Sequence, residues 1–366
     1  MIEIGSEFWL EDNNNLDKSK DFDDLINFGG DRKLLFSGRS AIDYVLEDII
    51  KTIKTVYMPS YCCKSMLQPF VDRNIRIEFY EVFYDGDGLN YSIDYEKEVD
   101  IFFANSYFGF DVSNMDRIIK KFRGRDVIVI EDITHRFLCE QNCCRYANYF
   151  IASLRKWFSI PSGGVAIKGA GEFTNNKLLP PPDELVEKKV LAMSKKANFI
   201  YNQYTIHKTN KTAKSDFLKL YSDFNFALNN NYKNIEIDLV SKEILKKINI
   251  EDIKKKRVKN TIFIYQNFKK TNYIKLLFSK FNSDTDCPLF VPIIVKPELR
   301  GALKNYFITN NIFCPIHWPN PVDNNYFNKE TKILYNTELS LVCDHRYGLN
   351  DIKRIITTLG GFTDKL

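Results

Sequence analysis

The residues best placed to do chemistry are an acid and a lysine. Val127-Ile-Val-Ile-Glu-Asp132 is a β-branched run that ends in a carboxylate, and Lys156 follows Asp132 by 24 positions (156 − 132), within Ser153-Leu-Arg-Lys156-Trp and ahead of Gly163-Gly164. An acid that closes a buried strand lies at the strand's carboxyl end, where open α/β sheets bind their ligands. A lysine amine captures carbonyl carbons as a Schiff base, and its pKa falls when it is desolvated, so it can also carry a proton. A carboxylate beside a pyridine nitrogen keeps that nitrogen protonated. His135, three positions beyond Asp132, is a third candidate, either as a contact to a bound ring or its phenolic oxygen or as a hydrogen-bonded structural histidine.

A phosphate-binding segment lies upstream. Ser37-Gly38-Arg39-Ser40-Ala41 opens a pattern in which Ile42, Val45, Leu46, Ile49, Ile50 and Ile53 recur on one helical face. The first N–H groups of such a helix can hold a phosphate, aided by the helix dipole. The same residues also read as an ordinary serine N-cap with Asp43 three positions on. Ser153 is a second candidate phosphate contact, or simply a strand-end serine. Phosphate segment, strand-end acid and lysine in this order suit pyridoxal 5'-phosphate (PLP), whose ring takes up electrons while the protein positions and protonates it. Tyr57-Met-Pro-Ser-Tyr61-Cys-Cys63 follows a strand end and should border the same pocket. A cysteine nucleophile there is one reading, and buried inert thiols the other.

The elements that must position these residues alternate. Short apolar or period-two segments at 56–58, 75–82, 101–105 and 127–131 read as strands, and helical patterns run through Met66 and Phe70 and from Met115 to Phe122. Such alternation predicts βαβ units and an α/β fold with a mainly parallel, doubly wound sheet. Leu179-Pro-Pro-Pro182 breaks the pattern before a long helical stretch from about 183. Residues 205–214 and 229–236 are polar and read as loops. From about 250 a basic helix, a strand at 289–295, a helix at 300–309, a strand near Ile312 and a helix at 351–359 read as a small α+β domain. The expected division is a large domain over 1–245, with 1–32 as an N-terminal segment packing on the small domain, and a small C-terminal domain over 246–366.

Composition bounds the rest. With 366 residues, 44% hydrophobic and 27% charged, the chain can bury a sizeable core. A net charge of +5, from 52 Lys+Arg against 47 Asp+Glu, is too mild to predict a nucleic-acid partner. The start is acidic and lacks an apolar core, and no apolar run reaches about 18 residues. A cytoplasmic protein with no membrane span is therefore expected, with its eight cysteines as free thiols. His135, Cys139, Cys143 and Cys144 lack the CxxC pairing of structural zinc, and no metal is expected.

In this order of parts the chain resembles the nucleotide-sugar aminotransferases of PLP fold type I, the DegT/StrS group. Ser37-Gly-Arg-Ser-Ala41 is similar to the family's Gly-Thr-x-Ala phosphate segment, Tyr57-Met-Pro-Ser-Tyr-Cys-Cys63 to its Val-Pro-x-x-Thr-Phe, and Phe108-Gly109 to its Tyr-Gly. Glu131-Asp132-Ile-Thr-His135 resembles its Glu-Asp-x-x-Gln/His, Lys156 with Gly163-Gly164 its Lys before Gly-Glu-Gly-Gly, and Leu339-Ser-Leu its closing Leu-x-Leu-Pro strand. The resemblance spans about 33–358 and is thin between 180 and 250. It implies Lys156, Asp132 and His135 as catalytic residues. It implies Gly38, Arg39, Ser40, Ala41, Tyr61, Cys63, Tyr107, Asp132, His135, Ser153 and Lys156 around PLP. It implies a homodimer, glutamate as amino donor, a keto nucleotide-sugar as acceptor, and a role in polysaccharide or related sugar biosynthesis.

Four departures stand out. Ser153 lies three positions before the lysine rather than five. The ring-stacking aromatic falls at Cys63, leaving Tyr61 or Tyr107 as substitutes. No segment matches the family's Tyr-Asn-x-Arg, and Leu341-Val342 replaces its Leu-Pro. A PLP sugar dehydratase, in which a histidine replaces the lysine, is the nearest enzymatic alternative. Decarboxylase or desulfurase chemistry on the same scaffold is another, and a non-catalytic sugar-nucleotide binder or structural partner is the alternative outside catalysis.

Overall fold

The structure is a computed structural model and describes residues 2–11, 22–49, 52–110, 114–175, 177–205, 211–321 and 327–366. It is mixed α/β, and the chain divides into two compact units. The first comprises residues 1–3, 7–51 and 149–250, and the second residues 4–6, 52–148 and 251–366.

The second unit contains the parallel sheet that the alternating pattern predicts. Ile128–Asp132, Ile101–Asn105, Thr55–Pro59 and Arg76–Tyr84 lie side by side in that order, all parallel, and Leu89–Ser92 closes the edge antiparallel. Ile101–Asn105 is buried at every position, as a strand covered on both faces must be. The crossover helix Met115–Arg123 buries Met115, Ile118, Ile119 and Phe122, one stripe at helical spacing. Lys120, Lys121 and Arg123 at its last turn complement the helix dipole. Phe122 stacks on Phe102 with ring centroids 4.2 Å apart, fixing helix to sheet. The register sets Asn105 beside Asp132, so both polar side chains emerge at the carboxyl ends of adjacent strands. The C-terminal part of this unit is an antiparallel sheet of Ile274–Leu276, Val291–Val295 and Glu338–Leu341, with helices Pro297–Thr309 and Leu349–Thr363. Ile4–Gly5 pairs in parallel with Ile312–Phe313.

In the first unit Arg32–Leu35, Gly164–Lys168 and Tyr149–Ala152 are antiparallel neighbours. The segment between Ala152 and Gly164 contains no crossover helix, and a parallel return would need one. Helices Asp183–Thr205 and Lys211–Ala227 pack against one another through Phe199, Ile200, Phe217 and Tyr221, with Trp9 and Leu10 at the rim.

Three sequence expectations are corrected. The helix that Ser37–Ala41 opens, expected to run to about Ile53, spans Gly38–Asp48, because Ser37 caps its start and Asp48 is held at its end. The alternative reading of a serine N-cap holds for the serine but not for Asp43 three positions on, because the cap is Ser37, whose oxygen accepts from the Ser40 N–H at 3.1 Å. Of the loop expected over 205–214, residues 206–210 lie outside the described residues, and 211–214 open a helix.

Asp48 is a buried carboxylate that accepts from the Tyr149 hydroxyl (2.8 Å), the Thr174 N–H (2.6 Å) and the Thr174 hydroxyl (2.8 Å), with Lys168 Nζ at 2.8 Å. Burial alone would raise its pKa, but Lys168, Thr174 and Tyr149 outweigh burial and hold it below the ordinary value. The folded pKa is depressed, so this stability is complete above the free-aspartate value of about 3.9 and is lost as pH falls through the lower folded value. Asp48→Asn is expected to lower unfolding stability by about 2–3 kcal/mol at pH 7. It should also flatten the acid limb of stability against pH, both read from urea unfolding.

Candidate active site

In the first unit the Ser37–Ala41 segment and the lysine turn are built against each other. Ser37 takes an extended backbone and caps the helix, and its carbonyl accepts from the Ala41 N–H at 3.0 Å. The Ser37 and Ser40 hydroxyls lie 2.9 Å apart, and Ser40 and Ala41 are fully buried. A Cβ on Gly38 would stand 2.9 Å from the Ser153 Cβ, which leaves no room for a side chain between the helix start and the lysine turn. A Cβ on Gly164 would stand 2.1 Å from the Ser37 carbonyl oxygen, and Gly163 has φ +156. The double glycine therefore admits the Ser37–Gly38 backbone to the strand end.

Lys156 is half-buried on a one-turn 3-10 helix, Leu154–Lys156. The turn is closed by Trp157 N–H to Leu154 O at 3.0 Å and tied by Leu154 N–H to Gly163 O at 3.1 Å. Trp157 and Phe158 are buried directly behind it. Arg39 directs its guanidinium to Leu228 O (3.0 Å) and Asn229 Oδ1 (3.1 Å), over the Tyr232 ring, so its side chain braces the 228–232 loop.

A cationic group borders this turn. Arg155 lies over the Phe224 ring, and its Nε has no hydrogen-bond partner. Lys189 is buried, with Nζ 3.4 Å from Glu7 Oε2 and 4.3 Å from the Tyr221 ring centre. Burial lowers the Lys189 pKa to about 8. Burial would raise Glu7, but Lys189, Arg155, Asn225 and Lys196 together bring it down to about 2.

In the second unit the acid pair at the end of Ile128–Asp132 divides by the strand's period of two. Glu131 points to the side of the Arg136–Cys144 loop, accepting from the Cys144 N–H at 2.7 Å and from Arg136 at 3.3 Å. Burial raises its pKa to about 7. Asp132 is buried, and one of its oxygens accepts from the Thr134 N–H at 2.8 Å. His135 is also buried, and its Nδ1 accepts from the Phe108 N–H at 2.9 Å. That bond places the neutral ring's proton on Nε2, so His135 can donate from that nitrogen. Phe108 and Gly109 turn through positive φ, and a Cβ on Gly109 would meet the Cys287 carbonyl at 2.1 Å.

Tyr107 donates to the Tyr61 carbonyl at 2.5 Å, and the two rings lie 5.5 Å apart. Cys63 is half-buried beside the Ser65 hydroxyl at 3.0 Å. Burial drives the Cys62 thiol well above its ordinary pKa, which disfavours it as a nucleophile. All eight cysteines are free, and among the described residues no cluster of three or more His, Cys, Asp or Glu could hold a metal. Among the described residues no helix is long and apolar enough to cross a membrane.

Sequence reasoning missed His317 and Trp318. Trp318 lies over Tyr61 (5.2 Å) and His135 (5.5 Å), and His317 lies 5.5 Å from Phe108. The available signal was Pro315-Ile-His-Trp-Pro319, two large polar-tipped rings between prolines.

With this geometry in hand, the chain was compared with known proteins. No family model matches it, and no curated protein matches its sequence. Solved structures do. Helicobacter pylori PseC, an aminotransferase involved in pseudoaminic acid biosynthesis, matches over 100% of both chains at 13% identity and TM-score 0.66. The fold is that of the sugar aminotransferases. The aminotransferase TlmJ of Streptoalloteichus hindustanus covers 94% of this chain and 89% of its own at 12% identity and TM-score 0.63. A variant of the GDP-4-keto-6-deoxymannose-3-dehydratase ColD with bound GDP-perosamine covers 92% and 90% at 16% identity and TM-score 0.61. At these identities the likeness is one of architecture, PLP fold type I.

The glycine packing gives a direct check. Gly164→Ala should destabilise the protein by about 3 kcal/mol, because the added methyl meets a backbone carbonyl that cannot move away cheaply. Gly301→Ala, on a helix with open space around the new methyl, should be neutral or stabilising by up to about 1 kcal/mol. Thermal unfolding of the two variants reads the contrast.

Proposed function

We propose that this protein is a PLP-dependent aminotransferase that moves an amino group from glutamate to a keto nucleotide-sugar, in the biosynthesis of surface polysaccharide or related sugars. The observation that carries the reading is the packing of the Ser37–Ala41 helix start against the Ser153–Lys156 turn, a close approach that glycine at position 38 allows. This cradle fits a phosphate beside a lysine amine. It supports PLP through the chain's own residues, since a phosphate-bearing aldehyde needs both groups together. When bound, PLP supplies a carbonyl for the lysine and a ring that accepts the electron pair released at the substrate's α-carbon.

The residues have these roles in the reading. First-turn N–H groups of Gly38 and Arg39, with Ser40, Ala41 and Ser153, hold the phosphate. Lys156 binds the cofactor and then moves a proton on the substrate carbon. Asp132 holds the ring nitrogen's proton, its geometry set by the Thr134 N–H. His135, fixed as a donor by Phe108, bonds the ring's phenolic oxygen. Tyr61, Tyr107 and Cys63 border the ring. Arg155 and Lys189 offer charge for an anionic substrate, since a guanidinium matches phosphate oxygens in a fork. The family resemblance supports a homodimer, and the acidic start without an apolar core supports a cytoplasmic location.

A sugar dehydratase shares the architecture, and Lys156 favours transamination over it, because in that relative the lysine is replaced by histidine. The experiment is to load the protein with PLP and glutamate, and measure release of 2-oxoglutarate and then formation of an amino sugar from added keto nucleotide-sugars. Wild type should turn over. Asp132→Asn should stay folded and fall at least about 100-fold, the scale of a lost preorganised electrostatic contact. Release of 2-oxoglutarate at the wild-type rate in Asp132→Asn would remove Asp132 from its role. Sugar deoxygenation without amino transfer would replace the reading with dehydration.

A further inference from the structure

We propose that His317, Ser340 and Glu338 form a proton wire, in which a proton taken up at Nε2 of His317 is stored on the buried carboxylate of Glu338. All three residues lie in the second unit. Glu338 and Ser340 are fully buried and His317 is 8% exposed. Glu338 reaches His317 once directly and once through Ser340. Its Oε2 accepts from the His317 backbone N–H at 2.6 Å, and its Oε1 pairs with the Ser340 hydroxyl at 2.5 Å. The Ser340 oxygen lies 2.8 Å from His317 Nδ1. The carboxyl group thus reaches the imidazole through one hydroxyl.

A hydroxyl carries one proton, and that fact makes the three groups act together. With Glu338 ionised, Ser340 donates to Glu338, His317 Nδ1–H donates to Ser340, and Nε2 holds a lone pair. When an acid H–X in the pocket gives its proton to Nε2, an N–H bond forms and X keeps the electron pair of the broken H–X bond. The Nδ1 proton passes to Ser340 oxygen, and the Ser340 proton passes to Glu338 Oε1. One proton has left X and one has reached Glu338. The ring is neutral before and after with its tautomer exchanged, and no other reactant is consumed.

The surroundings favour this store. Burial raises the Glu338 pKa to about 8, against the lowering by Ser340, the His317 N–H and Arg300. The other titratable or charged groups facing Glu338 are few. Arg300, on Pro297–Thr309, binds the Tyr335 and Glu338 carbonyls at 2.6 and 3.4 Å. The Cys314 thiol is pushed up to about 12 by burial. Tyr61 donates to the His317 carbonyl, and burial holds its phenol well above its ordinary pKa. The His317 ring faces Phe108, Phe290, Trp318 and, at 6.2 Å, His135. A fixed donor, His135, therefore lies near a switchable group, His317. Its use in catalysis, accepting a proton from a substrate hydroxyl, rests on the transamination reading, whereas the wire does not.

Glu338 and Ser340 are positioning residues here, and the test reads the ring directly. Ligand-free, full-length protein labelled with 15N-histidine is titrated from about pH 6 to about pH 10, with His317→Gln assigning the signal. In wild type the proton should move from Nε2 to Nδ1 as pH rises, changing the tautomer ratio about tenfold per pH unit near the midpoint, with the ring neutral. Glu338→Gln should hold one tautomer at every pH. Ser340→Ala, which removes only the link, should leave an uncoupled ring whose tautomer no longer follows the ionisation of Glu338. A wild-type ring that passes through the imidazolium without tautomer exchange overturns the wire. So does an exchange that persists in either variant, and Ser340→Ala decides if Glu338→Gln fails to fold. PLP capture and amino transfer are measured separately, so failure of the reaction reading leaves this result standing.

Discussion

Two backbones touch beside Lys156, and that contact organises the candidate site. The Ser37 carbonyl lies where a Cβ on residue 164 would be, and the Ser153 Cβ lies where one on residue 38 would press. Glycine at both positions is the only side-chain choice that fits without displacing backbone. Hydrogen bonds then lock the approach, from Gly163 N–H to Phe36 O at 2.8 Å and from Leu154 N–H to Gly163 O at 3.1 Å. A lysine has a long flexible stem, so the rigidity of its base decides where its amine spends its time. Here the base is a single 3-10 turn wedged between a helix start and buried Trp157, which is the preorganisation a reactive amine needs.

Buried carboxylates are costly, and each one in the second unit is held by donors. Glu131 and Asp132 are consecutive, yet they serve opposite faces. Glu131 ties down the Arg136–Cys144 loop, and Asp132 shapes the Thr134–Arg136 turn that carries His135. The Phe108–Gly109 turn adds the N–H that fixes His135. Acid, histidine and aromatic rings are therefore set by the ends of two adjacent strands, where a parallel sheet has carbonyl ends and crossover loops to spare. Glu338 follows the same rule from a different sheet, with its donors supplied by His317 and Ser340.

The legible parts of the sequence were those whose signal is local. The apolar runs at 101–105 and 127–131, the amphipathic Met115–Phe122 stripe and the strand-end Asp132 all declared themselves within a few residues, and the parallel sheet followed. The Ser37-Gly-Arg-Ser-Ala41 segment was legible as a helix start, but which serine caps was not, because serines three apart can each play the part. The helix ends at Asp48, not near Ile53, because of partners at 149, 168 and 174, which no window around residue 48 contains. The antiparallel neighbours Arg32–Leu35, Gly164–Lys168 and Tyr149–Ala152 depend on a connection without a helix, a tertiary matter. No local pattern links His317 to Ser340 and Glu338, and they meet only because residues 317–318 fold back onto the strand Glu338–Leu341.

The central claim is that the Ser37–Ala41 segment and the Lys156 turn make one cradle for a phosphate-bearing aldehyde. Its most direct test is chemical. Protein incubated with PLP, reduced with borohydride and digested is mapped by mass spectrometry for the lysine that retains the cofactor. The account predicts a single modified site at Lys156, lost in Lys156→Ala and suppressed by competing inorganic phosphate. Stoichiometric modification at Lys168 or Lys189 instead, or modification spread over surface lysines and indifferent to phosphate, would contradict it.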